Sequence, residues 1–193
     1  MMKFNKEYWE NRYENNETGW AIGKISTPIK EYIDQISNKN LKILIPGAGN
    51  GFEFDYLIEK GFKNVYVVDI ASQPLKEIAL RHPNYESHLI ENDFFELDDK
   101  FDLILEQTFF CALDPELRNQ YATKMYNLLN TNGKIAGLLF NFPLTNEGPP
   151  FGGSEEEYST TFKSQFKIKT LENCYNSIKP RENRELFFIF EAK

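Results

Sequence analysis

The stretch from Leu41 to Gly51, Leu-Lys-Ile-Leu-Ile-Pro-Gly-Ala-Gly-Asn-Gly, constrains this chain more than any other. An apolar run rich in β-branched residues ends in a turn built on Gly47, Gly49 and Gly51, and a helical pattern follows over 52–60. Strand, glycine turn and helix in that order open a nucleotide-binding α/β unit. Glycine reaches positive φ at little steric cost and lets backbone approach a nucleoside that a side chain would hold away. A second apolar run, 65–68, ends in Asp69. An acid at the tip of the second strand is placed to accept hydrogen bonds from ribose hydroxyls.

The glycine spacing selects among nucleosides. Dinucleotide sites use G-x-G-x-x-G and hold a pyrophosphate on the helix N-terminus. Here the spacing is G-x-G-x-G, and Phe52 stands where the third dinucleotide glycine would be. No Lys-Ser or Lys-Thr pair follows, which excludes a P-loop. S-adenosylmethionine has adenine and ribose but no phosphate, so it needs the glycines and the acid without an anion hole. Glycine-rich turns also occur as plain left-handed turns and caps, so the order of further signals matters. After a third strand comes Asn92-Asp93-Phe94-Phe95. Asp93 can accept from an adenine amino group and Phe94 can cover the ring, although a capping Asp beside core phenylalanines has the same sequence.

Composition limits the partners. The net charge of −7 argues against an electrostatic grip on nucleic acid or an anionic membrane, and tolerates a cationic sulfonium. No apolar run approaches a membrane span and no signal peptide opens the chain. Cys111 and Cys174 have no metal or redox spacing and read as reduced core thiols. The expectation is one cytoplasmic domain over 1–193, monomeric, without metal, with 1–26 as an N-terminal lid.

Elements alternate along the chain. A helix is expected over 5–15. Thr27 caps a second helix that begins with Pro28 and ends near Ser37. Strands are expected at 41–45, 64–69, 85–90, 101–105, 134–140, 166–171 and 185–191. Between them lie helices at 52–60, from Ser72 to before Pro83, from Pro115 to Leu129 with Asp114 as cap, and from Ser154 onward. The pattern predicts a doubly wound, mostly parallel seven-stranded α/β sheet, Rossmann-like, with a helical lid at the N-terminus.

Three segments carry a family resemblance: Ile45-Pro46-Gly47-Ala48-Gly49, the run from Phe101 to Glu116 containing Glu106-Gln107-Thr108-Phe109-Phe110-Cys111, and Gly148-Pro149-Pro150-Phe151. With the Trp9, Tyr13 and Trp20 spacing, they make the chain resemble the thiopurine S-methyltransferase family, especially its thiol and halide methyltransferase branch, over nearly its whole length. That resemblance implies cofactor contacts from Trp9, Tyr13, Trp20, Gly47, Asp69, Asp93, Phe94 and Gln107. The glycine-turn reading adds Gly49. Two positions depart from the family pattern: Ala48, where Cys is frequent, and Glu106-Gln107, where branch members often have Asp-Tyr.

The aromatics also suit the chemistry directly. Indole faces attract a sulfonium by about 0.5–2 kcal/mol, and Trp20, in a loop between Gly19 and Ala21, needs something to pack against. Methyl transfer from a sulfonium relies on positioning and desolvation, and a soft nucleophile needs little or no base. Neither histidine, His82 or His88, falls at an expected carboxyl end of a strand. Glu106 is the candidate acid nearest the expected reaction centre. Phe109, Phe110 and Phe151, with Trp20, are expected to line an apolar acceptor chamber, and Arg181 is the candidate cation beside it. The expected reaction is transfer of a methyl group to a small soft nucleophile, above all a thiol. Thiopurine, hydrosulfide, thiocyanate and halide are included. Two rivals stand beside it: a nicotinamide-dependent reductase, which would explain the glycine turn and Asp69, and a non-catalytic cofactor-binding protein.

Overall fold

The computed structural model describes residues 4–193, so the first three residues of the expected lid lie outside it. Among the described residues seven strands form one sheet: β1 (Ile43–Pro46), β2 (Val65–Asp69), β3 (Leu89–Glu91), β4 (Phe101–Gln107), β5 (Leu129–Phe140), β6 (Phe166–Asn173) and β7 (Glu185–Ala192). They lie in the order β3-β2-β1-β4-β5-β7-β6. Pairings from β3 through β5 are parallel, and β7 runs antiparallel between β5 and β6. The doubly wound, mostly parallel sheet read from the sequence is what the chain forms.

The central strands read as unbroken apolar runs because both faces are covered. Leu44, Val68, Ile104 and Ile135 point into one core, closed by α5 (Arg118–Asn127) and α6 (Glu155–Phe162). Ile43, Ile45, Val65, Val67, Leu103 and Leu105 point into the other, closed by α2 (Thr27–Asp34), α3 (Phe52–Glu59) and α4 (Ser72–Arg81). Each helix buries one stripe: Ile29 and Ile33 in α2, Leu75 and Ile78 in α4, Tyr121, Ala122 and Met125 in α5. By contrast α1 (Lys6–Glu14) has no buried residue and rests on the sheet edge through polar ties. Glu10 accepts from the Ser72 amide at 2.8 Å, and Lys6 pairs with Glu91.

Several boundaries differ from the sequence expectation, and α2 ends at Asp34, short of Ser37. The cap of α2 is Ser26, not Thr27, and its hydroxyl bonds Gln107 at 2.9 Å instead of capping the helix. Residues 83–88 form a 3-10 segment that begins at Pro83, so the third strand is only Leu89–Glu91 and His88 precedes it. Asp114 caps a 3-10 turn, Pro115–Leu117, from which α5 continues only to Asn127. Leu129 already belongs to β5, because its pairing with Phe101 extends the ladder past the Asn132-Gly133 turn through a register shift.

Candidate active site

The chain leaves β1 outward to β2 and β3, then returns to lay β4 against β1. Ligands of open α/β sheets bind beyond the carboxyl ends of the strands at such a switch point. A cavity of about 1060 Å³ lies there. Strand ends make its floor, the segment from Phe4 to Lys24 covers it, and the turns around Pro149-Pro150 and Lys179–Arg181 close its far side.

Asp69 is fixed by the turns it follows. One carboxylate oxygen accepts from the Ala48 amide at 2.7 Å and the other from the Ala71 amide at 2.8 Å. Two hydrogen bonds leave acceptor capacity on both oxygens, and the residue lines the cavity. Desolvation outweighs those amides and pushes its carboxyl up to about 6. Asp93 caps the short turn Phe94–Glu96 by accepting from the Phe95 amide at 2.9 Å, and also lines the cavity. Phe94 has 4% of its surface exposed and packs on Phe109 and Tyr121. The capping role and the cavity position coexist at this turn.

The glycines divide their work. At Gly49, with φ +51°, an added Cβ would meet nothing within 4 Å, so the backbone borders open cavity. At Gly47, with φ +77°, a Cβ would stand 2.8 Å from the Phe109 ring, so this glycine makes room for a side chain of the wall.

Three aromatics cover the cavity as one cluster. Trp9 and Tyr13 set their rings edge-on to Trp20 at centroid distances of 5.7 and 5.5 Å. The Arg12 guanidinium stands 5.8 Å from the Trp20 ring, so a cation already occupies part of its surroundings. Desolvation of the half-buried Tyr13 phenol pushes its ionisation well up in pH, reinforced by the charges of Asp69, Glu77 and Glu10, so it stays a hydrogen-bond donor at neutral pH.

The end of β4 is unusual. Thr108, a β-branched residue, has φ 64°, a conformation that costs on the order of 1–3 kcal/mol. Glu106 holds it there. The Glu106 side chain is fully buried and accepts from the Phe109 amide at 2.7 Å, the Phe110 amide at 3.0 Å and the Tyr121 hydroxyl. Desolvation pushes its carboxyl up to about 7. Glu106 therefore faces the core, while Gln107 and Thr108 face the cavity. The Cys111 thiol donates to the Thr108 carbonyl at 3.0 Å and borders the cavity, with its ionisation pushed far up by burial.

Of the residues expected to line an acceptor chamber, only some border the cavity. Phe109, Trp20 and Arg181 do. Phe110 does not: it is 1% exposed, packed between Tyr121 and Tyr158 with Arg118 over its ring, because the Glu106 clamp turns it inward. Phe151 is also core, 5% exposed and covered by Phe4, which takes the lining position in front of it. Phe140, Phe142, Pro149 and Pro150 supply the apolar wall instead. His82 bonds Asp55 and His88 the Val65 carbonyl, and neither lines the cavity.

Comparisons with known proteins identify the family. A family profile described as thiopurine S-methyltransferase matches residues 4–192. The chain belongs to the thiopurine S-methyltransferase family. It is an S-adenosylmethionine-dependent methyltransferase. It is 34% identical to a probable thiol methyltransferase 2 of Arabidopsis thaliana over 78% of this chain and 69% of that protein. It is 27% identical to a thiocyanate methyltransferase 1 of Brassica oleracea over 92% and 81%. In fold it is similar, at TM-score 0.79 and 18% identity, to a Burkholderia thailandensis 1,6-didemethyltoxoflavin-N1-methyltransferase bound to S-adenosylhomocysteine, covering 97% of this chain and 87% of that one.

The cavity fits the donor of this family on its own features. Asp69 retains acceptor capacity beside the turn, and Gly49 opens the backbone toward it. Several lining residues escaped the sequence reading, among them Arg12, Glu53, Thr108 and Lys179. Arg12 stands between two expected contacts on one helix, and Glu53 follows the glycine turn by two positions, so adjacency was the available signal.

Proposed function

We propose that this methyltransferase moves the methyl group of S-adenosylmethionine to a small soft nucleophile, above all a thiol, as a monomeric single-domain protein of the cytoplasm. When bound, the cofactor supplies a methyl carbon activated by its sulfonium and open to in-line displacement. Asp69 accepts from the ribose hydroxyls, Asp93 from the adenine amino group, and Phe94 lies against the ring. Gly47 and Gly49 keep the turn close, while Trp9, Tyr13, Trp20 and Gln107 surround the sulfonium end. The acceptor enters between Phe109, Trp20 and the Pro149-Pro150 wall, within reach of Arg181.

The observation that carries this reading is the orientation of Glu106. The acid at the end of β4 is bound to two amides and a tyrosine and is turned away from the cavity. The cavity beside it is walled by Phe109, Phe140, Phe142 and prolines. Such a chamber desolvates a nucleophile and positions it, which suits a group that arrives ionised. No helix among the described residues is long and apolar enough to cross a membrane, and the net charge of −7 disfavours a nucleic-acid or anionic-membrane partner. The test is a panel of thiols, hydrosulfide, thiocyanate, iodide and thiopurines assayed for S-adenosylhomocysteine release. Turnover on none of them, with turnover on an amine or alcohol, would overturn it.

A further inference from the structure

Three carboxylates line the cavity: Glu53, Asp69 and Asp93. The last two follow β2 and β3 on the nucleoside side. Glu53 stands apart, on the first turn of α3 just past the glycine turn. Among the described residues it has no ion pair and accepts from no other side chain, and the backbone N–H that favours its charge is its own. Arg181 acts on it only through its field, since that guanidinium is engaged with Glu185 and the Trp20 carbonyl. Desolvation pushes the Glu53 carboxyl up to about 7. A desolvated carboxylate without a strong donor is unfavourable by itself and gains from a ligand that brings one.

The cofactor brings such a donor. Its amino-acid end carries an α-ammonium, which no residue described so far accepts. With ribose at Asp69 and adenine at Asp93, the opposite end of the molecule is directed past the glycine turn toward the β1–β4 side. Glu53 is the lining carboxylate that directly follows the glycine turn after β1, within the field of Arg181 on the far wall. We infer that Glu53 receives the α-ammonium of the cofactor's amino-acid end, an assignment that rests on the cofactor orientation proposed above. The ammonium supplies the donors that Glu53 lacks, and the carboxylate is held ionised by the charge it meets.

Calorimetry with two ligands tests this without turnover: S-adenosylhomocysteine and the same molecule with its α-amino group replaced by hydrogen. The wild-type protein is expected to bind the deaminated ligand roughly ten- to hundredfold more weakly, the range of a charge-assisted hydrogen bond. In Glu53→Gln the amine should no longer matter, so that the two ligands bind within about threefold of each other. Equal binding of both ligands to the wild type would overturn the inference without any variant. A folded Glu53→Gln that discriminates as the wild type does would also overturn it. So would a variant that binds both ligands normally and loses turnover, which would move Glu53 to acceptor chemistry. Failure of the wild type to bind either ligand would instead sink the cofactor orientation on which the inference rests.

Discussion

Arg181 donates through one guanidinium nitrogen to the carbonyl of Trp20 at 3.0 Å, across 161 positions of chain. Its other terminal nitrogen lies 3.4 Å from Glu185, the first residue of β7, whose side chain is 1% exposed. The loop that covers the cavity is thus tied to the sheet by a side chain that also lines the cavity. A candidate acceptor-binding cation has a structural duty as well, which separates two kinds of mutant effect.

Arg181→Ala should destabilise the protein by about 3 kcal/mol at neutral pH, because it strands a buried carboxylate. Burial already pushes the Glu185 carboxyl above its ordinary range, disfavouring its charge. The penalty should shrink as the pH falls and that carboxyl becomes neutral. Denaturant unfolding of Arg181→Ala and of Arg181→Ala with Glu185→Gln measures both. A double mutant no more stable than the single one at neutral pH would contradict it.

Gly47 and Gly49 should fail differently. Gly47→Ala drives a Cβ to 2.8 Å from the Phe109 ring and should lower stability and disturb the acceptor wall. Gly49→Ala has open space around its Cβ, so beyond the strain of φ +51° it should fold and lose cofactor affinity instead. Thermal unfolding together with S-adenosylhomocysteine titration distinguishes the two outcomes.

Cofactor affinity should fall as the pH drops through about 6. The folded Asp69 carboxyl is raised to about 6, so it is protonated below that pH and loses acceptor capacity for ribose. In the free protein the same shift has the opposite sense: ionising Asp69 disfavours the fold, and stability declines as pH rises from the ordinary carboxyl range through 6. Glu53, raised to about 7, should add an earlier step to the binding curve. Asp69→Asn should remove the lower step and weaken binding by roughly 1.5–3 kcal/mol at neutral pH. A pH profile of the dissociation constant for both proteins checks this.

Glu106→Gln should cost little turnover. Its amide oxygen can still accept from Phe109 and Phe110, and its amide nitrogen can donate to Tyr121. The wild-type carboxyl is raised to about 7, so its stability contribution is greatest below the ordinary carboxyl range and is lost as pH rises through 7. The variant should lack that decline. Glu106→Ala releases three donors and should be strongly destabilised, by about 1–3 kcal/mol for each left unpaired. A hundredfold loss of turnover in folded Glu106→Gln, the scale of a lost general base, would make Glu106 a proton acceptor and the substrate a harder nucleophile.

Hydrogen exchange over 4–23 should slow on addition of S-adenosylhomocysteine. No residue of α1 is buried, and its ties to the body are polar and mostly exposed. Packing of Trp9, Tyr13 and Trp20 on a ligand would supply the missing contact. Equal protection with and without ligand would make the segment a fixed part of the body.

The sequence by itself determined the strand order of events: an apolar run, a glycine turn and a helix, then an acid after β2 and an Asp-Phe pair after β3. These are short-range signals, written in a few adjacent residues, and the cap at Asp93 and the helix start at Ser154 were legible for the same reason. Only the tertiary structure decided where Glu106, Phe110, Phe151 and Arg181 point. Glu106 turns inward because Tyr121, on the facing helix, meets it in the core. Phe151 is covered by Phe4 from the other end of the chain, and Ser26 leaves its capping place for Gln107, 81 positions away. Periodicity and spacing specify which residue types lie along an element. They carry no information about which partner, brought close by the folded sheet, will satisfy a given carboxylate or cover a given ring.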